Sequence, residues 1–290
     1  MILVTGAGGL IGKAVCEQLA CRNENVLKIV HTLMVDVDSV VIEIDLAKEN
    51  LTSAVKDEIS GVVHLAAAVP HSHYYPDTKE TAELTRKIDI NVLRAAEDWG
   101  CPVVYMSSCG LYDRNSENVK FEDDEASIKI VSPYFSAKYD GERIFSRYEK
   151  AGIIRLAAPV GSGLKSSVVV SRFMALALAG GKLQVWGSGK REQNFIDASD
   201  VARLVNYVLI QPNNILVNAA ADKPVTMIDL ANLVVDVVGK GEVELPGVED
   251  PRDGETARYS IDRAKQIYDW QPTIPLRQSL KALIGHSFQR

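Results

Sequence analysis

A tyrosine and a lysine stand one helical turn apart in SPYFSAKYDGE, at Tyr134 and Lys138. Residues i and i+4 share a helix face, so a phenol and an ammonium would meet there. Such a pair could move a proton. A free phenol titrates at about 10, and a neighbouring positive charge favours the phenolate. Any amphipathic helix repeats this spacing, so it describes a catalytic pair and two ordinary face residues equally well. The surroundings have to separate them.

A second stretch, VTGAGGLIG, holds Gly6, Gly9 and Gly12, with Gly8 in addition. It follows an apolar run directly, and Leu10 and Ile11 open the segment after it. A glycine turn between a strand and a helix lets the backbone approach a pyrophosphate, and the helix N-terminus offers free N–H groups and a positive dipole end. A dinucleotide is the expected ligand. The strand after that helix ends KIVHT, without the acid that usually holds the ribose 2′-hydroxyl. His31 stands there instead and is compatible with a 2′-phosphate. NAD and NADP both stay open, with Asp36 and Asp38 further on as groups that could reach back.

Elements of the right kind are present to position these residues. Short β-branched runs at 2–5, 26–30, 40–44, 61–65, 102–106 and 153–156 read as strands. Amphipathic segments at 10–21, 78–99 and 132–150 read as helices. Continuous apolar strands alternating with helices predict an α/β fold, a Rossmann-type doubly wound parallel sheet. After residue 161 the rhythm breaks into GSG, AGGK and WGSGK, then a proline-marked stretch. The expected division is a dinucleotide-binding domain over 1–158, with 194–217 returning to it. A smaller, partly interleaved substrate-binding region would take 159–193 and 218–290.

Composition narrows the partners. A net charge of -6 and a pI near 5.5 argue against nucleic acid or an anionic membrane as the main partner. No apolar run is long enough to span a bilayer, and no basic stretch precedes an apolar one at the start, so no secretory signal is expected. Cys16, Cys21, Cys101 and Cys109 lack disulfide or zinc spacing. A cytoplasmic protein without a metal is expected.

Taken in order along the chain, the motifs resemble the extended short-chain dehydrogenase/reductase superfamily, in its nucleotide-sugar epimerase/dehydratase branch. The G-x-x-G-x-x-G turn is followed by EIDLA, HLAAAVP, DINVLRAA, MSSCGLYD, SPYFSAK, RLAAPVGSG, GSGKREQNFIDASDVA and PRDGETARYSIDRAK. The resemblance implies roles. Ser108, Tyr134 and Lys138 would be catalytic, with Ser108 holding the reacting oxygen against Tyr134 and Lys138 also bonding the nicotinamide ribose. Asp45 and Leu46 would meet the adenine; Leu65, Ala66, Ala67 and Pro159 would line the cofactor; Asn91 matches the family's helix asparagine. His64, within its strand, reads as a core residue or one supporting the site from behind.

Departures from the pattern bear on the reaction. Dehydratases of the family carry an Asp-Glu pair where Cys109 and Gly110 stand, so dehydration is disfavoured. Ala158 replaces a frequent asparagine. Gln193 stands where an arginine is frequent, which leaves Arg191, Arg252 or Arg258 to hold a diphosphate. Cys109 and His71 are candidate substrate contacts; Cys109 reads equally as a small residue packed behind the site, and His71 as a solvated loop histidine. The expected activity is a nucleotide-sugar epimerase or 4-keto reductase using NAD or NADP, in a homodimer. The alternatives are a reductase of a non-nucleotide ketone or aldehyde, and a non-catalytic dinucleotide sensor.

Overall fold

A computed structural model describes residues 1–31, 40–70 and 76–287. Apolar β1 (Ile2–Thr5) runs into the glycine turn and α1 (Leu10–Ala20). Then come β2 (Val26–Val30), β3 (Val40–Glu43), short α2 (Leu51–Ala54), β4 (Gly61–His64), α3 (Lys79–Trp99), β5 (Val103–Ser108), α4 (Pro133–Phe145) and β6 (Ala151–Leu156). Beyond them lie β7 (Ala158–Val160), α5 (Val169–Leu178), β8 (Lys182–Gln184), β9 (Glu192–Gln193), β10 (Phe195–Asp197), α6 (Ala198–Ile210) and β11 (Leu216–Ala219). The chain closes with β12 (Val225–Thr226), α7 (Met227–Val238), β13 (Glu242–Glu244), α8 (Asp262–Tyr268) and α9 (Leu276–Ser287).

Among the described residues, seven parallel strands form one sheet in the order β11-β6-β5-β4-β1-β2-β3. All four residues of β1 and of β4 are buried, as strands covered on both faces require. Val15 and Leu19 of α1 and Val201 and Val205 of α6 cover one face. Val92 and Ala96 of α3 and Phe145 of α4 cover the other. The winding reverses between β1 and β4, and a doubly wound sheet opens its crevice at that point, beyond the carboxyl ends of the strands.

The helix caps explain the boundaries. Thr78 accepts from Thr81 N–H and starts α3; Gly100, left-handed at φ 62°, ends it. Ser132 accepts from Phe135 N–H, and Pro133 holds the first position of α4. The helix expected over 132–150 stops at Phe145. Tyr148 lies beyond it, where its hydroxyl donates to Cys101 O at 2.9 Å and pins the turn to the end of α3.

After β6 the chain leaves the sheet and comes back. β11 lies against β6, with Leu216 beside Ile153 and Ala219 beside Leu156, and α6 packs on α1. The return extends to Ala219, two residues past the expected end. α5, α7 and α9 enclose a separate apolar cluster that includes Phe173, Met174, Leu183, Leu230, Val234 and Leu280.

Candidate active site

The glycine turn lies at the carboxyl end of β1. Gly6 has φ +67°, and a Cβ there would meet the backbone of Leu65 and Ala66 at 2.9 Å. The turn after β1 is thereby pressed against the turn after β4. Thr5, fully buried, joins the two, because its Oγ1 accepts from Leu65 N–H at 3.1 Å and Ala66 N–H at 3.2 Å. Thr85 Oγ1 accepts from Ala68 N–H at 3.2 Å and holds the next residues. α1 begins at Gly9 with no side-chain cap and no acidic residue in its first turn. An uncapped helix end beside a glycine turn suits the pyrophosphate of a dinucleotide.

The segment expected to meet the adenine is built differently. His31 follows β2 and is exposed; Asp45 lies just after β3, the neighbouring strand. Asp45 Oδ1 accepts from Ala47 N–H, and its carboxylate pairs with Lys48 at 2.8 Å, which holds it below the ordinary Asp value. Asn91 stitches this loop to α3, donating to Leu46 O and Glu49 O and accepting from Leu51 N–H. Asp36, Asp38 and His71 lie outside the described residues.

Ser108 ends β5, and its Oγ accepts from Gly110 N–H at 3.0 Å, which leaves its own proton to donate. Gly110 is required by its neighbour, since a Cβ there would overlap the Phe135 ring. The start of α4 therefore sits against the end of β5. Tyr134, next to Phe135, has its backbone N–H on Asp77 Oδ1 at 2.9 Å. One turn on, Lys138 is buried and donates to Met106 O at 3.0 Å, with its ammonium 4.7 Å from the Tyr105 ring centre.

The charges oppose the simple expectation for the pair. Burial pushes the Tyr134 phenol above its ordinary value, and Asp89 and Asp77 push the same way. Burial likewise pushes Lys138 down, against the pull of Asp89 and Glu142. In the protein alone, the lysine does not bring the phenol down.

Asp89, missed by sequence reasoning, lies at the centre of a buried network. Its Oδ1 is 2.9 Å from His64 Nε2, and its Oδ2 accepts from Tyr105 OH at 2.9 Å. His64 Nδ1 is 2.8 Å from Thr5 Oγ1. A signal was available. Thr81, Thr85 and Asp89 recur every fourth residue on the buried face of α3, in register with Val92 and Ala96.

The proposed substrate contacts are distributed unevenly. Cys109 is buried, and its thiol donates to Arg155 O at 3.2 Å, with burial raising its pKa. Its side chain is enclosed in the protein. Arg252 pairs with Glu255 at 2.8 Å and Arg258 with Glu192 at 2.7 Å. Arg191 Nε pairs with Asp250 Oδ2 at 3.0 Å without making a hydrogen bond. It is the buried side-chain donor without a hydrogen bond among the described residues. Arg114, also missed, bridges Glu192 O at 2.5 Å, Thr256 O and the Glu255 carboxylate. Pro159 lies in β7 beside Ile196. Among the described residues no group of three or more His, Cys, Asp or Glu could hold a metal, and no helix is long and apolar enough to cross a membrane.

Comparison with known proteins agrees with this architecture. The model of the NAD dependent epimerase/dehydratase family matches residues 2–220. A putative UDP-glucose 4-epimerase from Methanocaldococcus jannaschii is 23% identical, covering 98% of this chain and 97% of its own. A dTDP-4-dehydro-6-deoxy-D-allose reductase from Streptomyces is 26% identical, with 97% and 94% covered. The solved structure of MoeE5 in complex with UDP-glucuronic acid and NAD superposes with a TM-score of 0.83 at 23% identity, covering 97% of this chain and 96% of that one.

Proposed function

Because the chain belongs to the NAD dependent epimerase/dehydratase family, we propose that it is an NAD(P)-dependent nucleotide-sugar 4-epimerase or 4-keto reductase. The observation that carries the reading is the packing of α4, which bears Tyr134 and Lys138, on the end of β5: Phe135 lies against Gly110, two residues after Ser108, and Lys138 donates to Met106 O. The family is NAD-dependent, and the uncapped start of α1 suits the cofactor's pyrophosphate.

A bound nicotinamide would supply hydride exchange with a sugar carbon. The chain handles the proton and the geometry. Ser108 donates its free proton to the reacting oxygen, and Tyr134 takes or gives the proton on that oxygen. Lys138 has ammonium hydrogens beyond the one on Met106 O with which to meet the ribose hydroxyls. Cofactor charge brought against the half-buried phenol would favour the phenolate that desolvation now suppresses. Elimination of water has no acid and base here, since Gly110 has no side chain and the Cys109 thiol faces Arg155 O.

The diphosphate would meet Arg191, whose Nε–H has no acceptor. The segments at 159–193 and 218–290 would form the substrate-binding region, in a cytoplasmic homodimer; cysteines that form no disulfide among the described residues suit a reducing compartment. A second reading, a reductase of a ketone or aldehyde without a nucleotide, is favoured by the carboxylates already paired with Arg252 and Arg258.

Denaturing the purified protein and assaying the released nucleotide tests the proposal. Retained NAD indicates an epimerase that recycles its hydride; empty protein that binds added NADPH over NADH indicates a reductase. Tyr134→Phe should lower turnover of UDP- or dTDP-sugars by about 10²–10⁴-fold while cofactor binding survives. Unchanged turnover in that variant removes the assignment.

A further inference from the structure

Lys138 is buried in the protein, and a buried ammonium needs a countercharge. Two carboxylates lie near enough to act on it, Asp89 from α3 and Glu142 from α4. Glu142 is already committed: Arg155 of β6 grips both its oxygens at 2.8 and 2.7 Å, and Ser107 of β5 donates to one of them at 2.6 Å. Asp89 receives donors of a different kind. Tyr105 gives it a neutral hydroxyl. The second donor, His64 of β4, is neutral too. Thr5 Oγ1 already accepts two backbone N–H groups, so its own proton goes to His64 Nδ1. Nε2 then carries the ring hydrogen and donates to Asp89 Oδ1. Burial, which disfavours a charged imidazole, works the same way, against the pull of Asp89.

The charge of Asp89 is therefore left for Lys138, and Tyr105 joins them: its hydroxyl is on Asp89 and its ring lies under the ammonium at 4.7 Å. Tyr134, with Asp77 at its backbone, is a further ionisable neighbour among the described residues. Gly141 allows the arrangement to sit beneath α4. A Cβ there would overlap Tyr105 OH and come within 2.7 Å of Asp89 Oδ2. We propose that Asp89 is a positioning residue, the buried countercharge that holds Lys138 in its ammonium form. Through His64 and Thr5 it also ties that lysine to the turn at Leu65 and Ala66. The catalytic consequence rests on Tyr134 and Lys138 being the working pair of the proposed enzyme; the electrostatic claim does not.

The test reads Lys138 itself, in protein without substrate, by NMR of isotope-labelled lysine side chains; the signal is identified by its loss in Lys138→Met. In Asp89→Asn the deprotonation midpoint of Lys138 should fall by about one unit or more, a tenfold change or greater in its proton affinity. In Tyr105→Phe, which keeps the carboxylate and the ring but removes one neutral donor, the midpoint should stay or rise. A midpoint unmoved in Asp89→Asn overturns the proposal. If that variant does not fold, a fall of this size in Tyr105→Phe overturns it, and a steady or higher value supports it. Because no turnover is measured, the wrong choice of substrate would leave this result standing.

Discussion

Two buried ionic groups flank α4, and they are built on opposite plans. On the side of β6, Arg155 and Glu142 meet directly in a two-pronged contact, and Glu142 holds the guanidinium above its ordinary value although burial works against it. Asn218 of β11 and Glu122 complete this side, the carboxylate accepting Asn218 N–H at 2.9 Å. On the other side, Lys138 and Asp89 are joined through Tyr105, and burial prevails over the carboxylates and lowers the lysine. A direct pair saturates its charges and fastens α4 to the sheet. A mediated pair leaves ammonium hydrogens unused and a charge that a ligand can alter. The difference teaches that the contact between charges, rather than burial, separates a saturated pair from one that a ligand can still alter.

Removing one member of each pair should break the comparison apart most visibly. Lys138→Met should lower turnover by about 10²-fold or more, with a stability loss below that of the matching change at Arg155, because Asp89 keeps its hydrogen bonds from Tyr105 and His64 while Glu142 loses both contacts to the guanidinium. Arg155→Met strands a buried carboxylate and should cost about 3–5 kcal/mol in urea unfolding. Equal stability losses in the two variants would erase the distinction.

A smaller effect sharpens the working side. Burial keeps His64 below its ordinary value of 6.5, with Asp89 opposing. Below that pH the unfolded chain takes up a proton that the folded chain does not. The contribution to stability is thus intact at higher pH and is lost as pH falls from about 6.5 toward the folded value. His64→Gln should flatten the stability profile in that window, by at most about 1.4 kcal/mol per pH unit. A profile that keeps its slope would place the uptake elsewhere.

The smallest effect reports on the structural side. Cys21 is exposed, while burial pushes Cys101 up to about 11 and Cys109 higher still. A thiol reagent at neutral pH should label Cys21 alone in the folded protein. In Arg155→Met, Cys109, whose thiol rests on the Arg155 carbonyl, should begin to react, as counted by mass spectrometry. Protection of Cys109 in that variant would mean that the strand end holds without the ion pair.

Distance along the chain decided how much the sequence could disclose. The glycine turn and the Tyr134–Lys138 pair are local spacings on single elements, and the strand pattern was equally local. Asp89 meets His64 from 25 residues away and Tyr105 from 16, across three elements. Only its place in the threonine stripe of α3 hinted that it faces inward. The arginines show the same limit. Their type suggested an anion, but Arg258 finds Glu192 66 residues earlier in the chain, a pairing set by β9 and the segment before α8. For Cys109, read as a substrate contact or a small packed residue, nothing in the sequence hinted at the Arg155 carbonyl that its thiol meets 46 residues away.

The late return of the chain to its sheet has a consequence for synthesis. β6 has β5 beside it early, but its other edge waits for residues 216–219. Val15 and Leu19 of α1 likewise wait for Val201 and Val205. While a ribosome makes the roughly 60 residues between, at about 5–20 per second, the nascent chain carries an unpaired strand edge and an uncovered apolar helix face. A chain released in that interval would be prone to aggregate, so the central sheet depends for its solubility on translation continuing well past β6.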